Sequence, residues 1–115
     1  MTLDEFRAYL AKPGTPLSEG EIAAFEKEIG NGLPHDYPAF LQTVNGGWVG
    51  GALLISGSTA TGEPIDTDLH HIGGLRAEPH MDLRNQRAAY QDWLARIPRD
   101  LIWIMDDSGG NAICL

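Results

Sequence analysis

Hydrophobic and polar positions follow two different periods along this chain, and the change from one to the other falls near Trp48. Before it, apolar residues recur at helical spacing. Leu3, Phe6 and Leu10 follow Thr2 and Glu5, a capping-box pair, and predict a short amphipathic helix that Lys12-Pro13-Gly14 stops. Ser18 with Glu21 forms a second capping box, and Leu17 and Ile22 stand at the two positions of a hydrophobic staple. Ile22, Phe25 and Ile29 carry that helix's inward face to Gly30, which supplies a left-handed stop. Pro34 suits the first turn of a third helix, because its missing N–H would be unpaired there in any case. Tyr37, Phe40, Leu41 and Val44 form its stripe, and Asn45-Gly46-Gly47 ends it.

After Trp48 the pattern shortens to apolar runs at 52–55 and 70–75, separated by Ser, Thr, Gly and Pro, which predict strands joined by a loop. Asp82 can cap a last helix whose apolar contacts are Leu83, Tyr90, Trp93, Leu94 and Ile97, ending before Pro98. Residues 101–105 show no polar alternation, so they predict a central strand covered on both faces. The polar run 106–111 is a turn, and 112–115 returns as the pairing strand. The elements describe an α+β fold, a mixed, mainly antiparallel sheet flanked by helices.

A length of 115 residues with 43% hydrophobic composition gives one domain, 1–115, able to bury its own core. The N-terminus lacks the basic-then-apolar pattern of a leader, and no run approaches the roughly 20 apolar residues of a membrane span. The expectation is a cytoplasmic protein. The lone cysteine, Cys114, has no internal partner and lies in an apolar run, so it reads as a buried thiol.

The net charge of -8 argues against direct nucleic-acid binding, which needs Lys and Arg to meet phosphates. Between Glu28 and Leu75 there is no Lys or Arg, while Glu28, Asp36, Glu63, Asp66 and Asp68 all fall inside. Such a segment either steers a basic partner or only keeps the protein soluble.

Candidate chemistry is thin. Asp106 and Asp107 beside Ser108 and Asn111 offer oxygen ligands for a hard cation, yet the spacing matches no calcium loop and Asp-Ser-Gly-Gly-Asn is ordinary turn chemistry. His70 and His71 with His35 or His80 invite a zinc reading, but adjacent residues of a strand point to opposite faces. Ser56, Ser58 and Thr59 have no nucleophile elbow or phosphate loop around them. The residues therefore predict no catalytic group, no metal and no cofactor. Trp103 reads as core, Trp93 as core beside Leu94, and Trp48 either as an interface anchor or as a cap on the core.

The run Leu17-Ser18, Glu21-Ile22, Phe25-Glu26, Ile29-Gly30, Leu33-Pro34, Asp36-Tyr37, Phe40-Leu41, Asn45-Gly46-Gly47 resembles the N-terminal signature of the SUKH superfamily, the Smi/Knr group. Ile97-Pro98, Leu101-Ile102, Ile104, Asp107, Gly109-Gly110-Asn111 and Ile113-Cys114-Leu115 are similar to its second hallmark. The resemblance implies helices around a mixed sheet and, in bacteria, an immunity protein that neutralises a secreted toxin, often a nuclease. Fungal relatives are regulatory scaffolds, the alternative class of function. A third reading is a small hydrolase built from Asp106, Asp107 and a histidine converging in one pocket.

An acidic protein can compete with nucleic acid for a basic nuclease groove, so the expected partner is a basic protein toxin. The residues expected to meet it are Asp36, Trp48, Glu63, Asp66, Asp68, Asp106 and Asp107. Family members usually continue past the strand at 113–115, so an open edge is expected there. It would be covered by a second copy in a homodimer or by the partner, unless the strand at 52–55 or at 70–75 already flanks it.

Overall fold

The computed structural model describes every residue except Met1, Asn31, His35, Gly51, Ala52 and Leu94. Helix α1 (Leu3–Tyr9) is capped by the Thr2 hydroxyl, which accepts the Glu5 N–H at 3.1 Å. It is shorter than its apolar spacing predicts. Leu10 and Ala11 form strand β1 instead, and Leu10 becomes buried by pairing opposite Val49.

Helix α2 (Glu19–Ile29) realises both halves of its capping box, with the Glu21 N–H on Ser18 Oγ at 3.2 Å and the Ser18 N–H on Glu21 Oε1 at 3.3 Å. Gly30 closes it at φ 79°, a left-handed angle that costs glycine little. Ile22 and Phe25 face inward, and each such buried side chain contributes about 1.5–3 kcal/mol. Helix α3 (Tyr37–Leu41) starts later than expected. Pro38, not Pro34, sits in its first turn, while the Pro34 carbonyl accepts the Tyr37 N–H at 3.0 Å ahead of the helix.

The strands are β2 (Gly47–Val49), β3 (Leu54–Ser58), β4 (Pro64–Asp68), β5 (His71–Ile72), β6 (Trp103–Asp106) and β7 (Ala112–Cys114). Helix α4 (Leu83–Arg87) runs on into a wide π-type turn at Ala88–Trp93. Asp82 caps α4 as predicted, accepting from the Arg84 and Asn85 N–H groups.

A five-stranded sheet has the order β1-β2-β5-β6-β7, and its pairings are antiparallel. Among the described residues, the parallel element is an isolated bridge between Gly74 and Asp82. β6 is interior, as its apolar run requires, and β7 lies at the end of the order beyond it. The alternative in which another strand flanks β7 does not hold, since β3 pairs with β4 and β5 lies between β2 and β6.

The largest departure begins at the strand expected over 52–55, which starts at Leu54 among the described residues and runs on into the segment read as a loop. β3 and β4 form a separate hairpin with Leu54 opposite Asp68 and Ser58 opposite Pro64, an arm standing off the main sheet. Its attachments are specific. The Leu69 N–H bonds the Leu53 carbonyl at 2.9 Å, the Thr67 hydroxyl donates to Asp107 Oδ2 at 2.8 Å, and the Ser108 N–H donates to Asp68 Oδ1 at 3.1 Å.

Helices α2, α3 and α4 close one apolar cluster with Phe25, Leu41, Leu83, Trp103 and Ile104. A second cluster joins Leu10, Val44, Val49, Leu69 and Ile72. Trp103 is buried as predicted, but Trp93 is 86% exposed, because the π-type turn carries it outward. Between the clusters sits Asn45, 2% exposed, whose Nδ2 donates to the carbonyls of Thr15 at 2.8 Å and Leu75 at 3.0 Å. Among the described residues no helix is long and apolar enough to cross a membrane.

Candidate functional site

Strand register places Trp48, His71 and Asp106 in one row across the sheet. Trp48 pairs opposite His71, and Ile72 opposite Met105 sets His71 beside Asp106. The His71 N–H donates to Asp106 Oδ1 at 2.9 Å, and His71 Nδ1 lies 3.0 Å from both carboxylate oxygens. The Trp48 ring meets His71 edge-on at 5.1 Å, and Lys12 Nζ lies 5.8 Å from its centroid.

His70 joins the same group, contrary to the expectation that the two imidazoles part. Alternation holds only inside an extended strand, and β5 begins at His71. The rings of His70 and His71 are 4.0 Å apart, and His70 Nδ1 lies 3.9 Å from Asp106 Oδ1. His80 brings a further ring 4.9 Å from His71, while pairing with Glu78. His35, the other histidine weighed for zinc, lies outside the described residues.

Asp106 and Asp107 serve different partners, Asp106 at the end of β6 and Asp107 just beyond it. Asp107 is 6% exposed and serves the turn: its Oδ1 accepts the Gly109 and Asn111 N–H groups at 3.0 and 2.8 Å, and its Oδ2 accepts the Asn111 amide at 3.0 Å. Burial pushes its carboxyl up, but the bonds from Asn111, Thr67 and Gly109 outweigh that and hold it below the ordinary range. The convergence required by the hydrolase reading is absent among the described residues, because Asp106 meets the histidines while Asp107 faces Thr67 and Asn111.

The acidic segment divides on folding. Glu28 accepts Arg84 Nε at 2.7 and 3.0 Å, tying α2 to α4, and Asp36 stands at the start of α3. Glu63 and Asp66 are exposed on the β3–β4 arm, where the Ser56 hydroxyl donates to Asp66 at 2.6 Å. Asp68 accepts from Ser108, whose side chain and N–H lower its carboxyl's pKa. Ser58 and Thr59 flank the turn, and Thr59 Oγ1 accepts the Glu63 N–H at 3.1 Å.

Between the arm, α1 and the β6–β7 edge runs an open groove of about 1300 Å³. Its walls include Leu3, Leu54, Ile65, Leu101 and Leu115, each of which keeps a large share of its surface in water. Neither the arm nor the groove was foreseen from the sequence, since both arise from how separate segments pack.

Among the residues that carry the sequence signature, Leu17, Ile22, Phe25, Leu33, Tyr37 and Leu41 are buried, and Asn45 is the buried polar junction. The model of the SMI1 / KNR4 family (SUKH-1) matches residues 16–115. The chain belongs to the SMI1 / KNR4 (SUKH-1) family. No curated protein and no solved structure gives a match. The match takes in the arm as well as the sheet, and signature residues such as Leu101, Asp107 and Leu115 lie in the walls of the groove.

Proposed function

We propose that this SUKH-1 chain is a non-catalytic binding protein of the immunity type, which neutralises a basic protein toxin by covering its active surface. The supporting observation is the coincidence of exposed apolar residues. Leu3, Leu54, Ile65, Leu101 and Leu115 line one groove, while the arm that walls it carries Glu63 and Asp66. Contiguous exposed apolar surface rimmed by polar groups marks interaction sites. Here the apolar wall supplies contact area, and the carboxylates of the arm attract a cationic partner and speed encounter.

In this reading Asp68 and Asp107 support the surface from within, as anchors of the arm, and β7 offers an outer edge to a partner strand or second copy. The test is co-expression with the neighbouring gene's product, assayed as a toxin. The variants Ile65→Asp and Glu63→Lys/Asp66→Lys, checked for folding by circular dichroism, should each lose protection, and the lysine pair should slow association most at low salt. Protection equal to the parent protein's in both variants would overturn the reading.

A further inference from the structure

Beyond partner binding, the start of β5 and the end of β6 bring three metal-ligating side chains together. His70, His71 and Asp106 each offer one donor atom, and these atoms lie within 4.8 Å of one another. We propose that His70, His71 and Asp106 bind a divalent transition-metal ion of the zinc class.

The distances suit that ion. Two ligands at about 2.0–2.1 Å from a tetrahedral zinc stand roughly 3.3 Å apart. The observed separations are 3.0 Å from His71 Nδ1 to Asp106 Oδ1 and 3.9 Å from His70 Nδ1 to the same oxygen. Small side-chain rotations close the difference, and His70 has room to make them because its side chain is 42% exposed. Binding requires the Nδ1 lone pair of His71 to turn from the carboxylate to the ion, with the ring proton carried on Nε2.

Two imidazoles and one carboxylate favour zinc, cobalt or nickel over calcium or magnesium, which take oxygen ligands. Hydrogen bonds already order the ligands. The His71 N–H fixes Asp106 Oδ1 at 2.9 Å, and the His70 N–H donates to the Asp106 carbonyl at 2.9 Å, so main-chain pairing holds two ligands in register. The His80 ring lies 4.9 Å from that of His71, and the net charge of -8 favours cation capture.

The experiment is isothermal titration of the tag-free full chain with zinc sulfate, with native mass spectrometry for stoichiometry. The expected result is one ion per chain with saturable binding, weakened at least about tenfold by His70→Ala and by Asp106→Asn. His70→Ala is the decisive variant if Asp106→Asn fails to fold, since His70 is half-exposed and lies outside the strand. Absence of saturable binding up to about millimolar zinc, or binding by His70→Ala as tight as the parent's, would overturn the proposal.

Discussion

Asn45 and Leu75 exchange a pair of hydrogen bonds, the Leu75 N–H donating to Asn45 Oδ1 at 2.7 Å and Asn45 Nδ2 donating to the Leu75 carbonyl at 3.0 Å. One side chain thereby imitates a neighbouring strand for a segment that has none at that point. With its further bond to Thr15, it joins the chain before α2, the end of α3 and the end of β5. The backbone comes so close that a Cβ on Gly74 would lie 2.5 Å from Asn45 Oδ1.

Replacing Asn45 with Ala should therefore lower stability by about 3 kcal/mol, because it leaves buried main-chain groups unpaired. Urea unfolding followed by tryptophan fluorescence measures it. A loss below about 1 kcal/mol would show that water replaces the amide without strain.

Tyr37 presents the opposite case. Its hydroxyl is buried with no hydrogen-bond partner among the described residues, and burial pushes its ionisation far above the usual phenol range. Tyr37→Phe should leave stability unchanged or raise it by up to about 1 kcal/mol, read from the same urea midpoint. A clear loss would mean that the hydroxyl is satisfied.

Acid should weaken the β6–β7 turn through Asp107. Its folded carboxyl titrates below the ordinary range, so its contribution is complete above the unfolded value of about 3.9 and is lost as pH falls through the folded one. Stability measured from about pH 5 to about pH 3 should fall less steeply in Asp107→Asn than in the parent chain. Equal slopes would remove Asp107 from the account.

Cys114 should react slowly. Burial raises its thiol, which reduces the thiolate available for attack. Iodoacetamide at about pH 8 should alkylate the folded chain several-fold more slowly than the urea-unfolded chain. Equal rates would show an accessible thiolate.

The helical half was legible because local chemistry decides it. Ser18 and Glu21 cap each other within one turn, and Gly30 stops α2 by a property of its own backbone. Leu54 and Ile55 of β3 fell within the apolar run read as a strand, but the rest of the arm was not legible, because 56–58 and Pro64–Asp68 are largely polar and mostly exposed, so no buried face imposes apolar alternation on them. Gly62 at φ 87°, in a turn closed by the Thr59 N–H on the Glu63 carbonyl, was the available sign of a hairpin. Of the expected partner residues, Glu63 and Asp66 are exposed on one arm, whereas Asp107 turned inward because the Asn111 and Gly109 amides needed an acceptor. Trp93 misled for a related reason: a regular helix would have turned it inward, and the π-type turn rotates it out.

Because β3 and β4 satisfy each other's main chain, the arm's far end can change length without breaking a rung of the five-stranded sheet. Its roots are constrained, since Thr67 and Asp68 must still reach the turn at Asp107 and Ser108. Residues 59–63 carry no such duty toward the rest of the molecule. Insertions there would change the surface offered to a partner while leaving the pairing of the five-stranded sheet as it is.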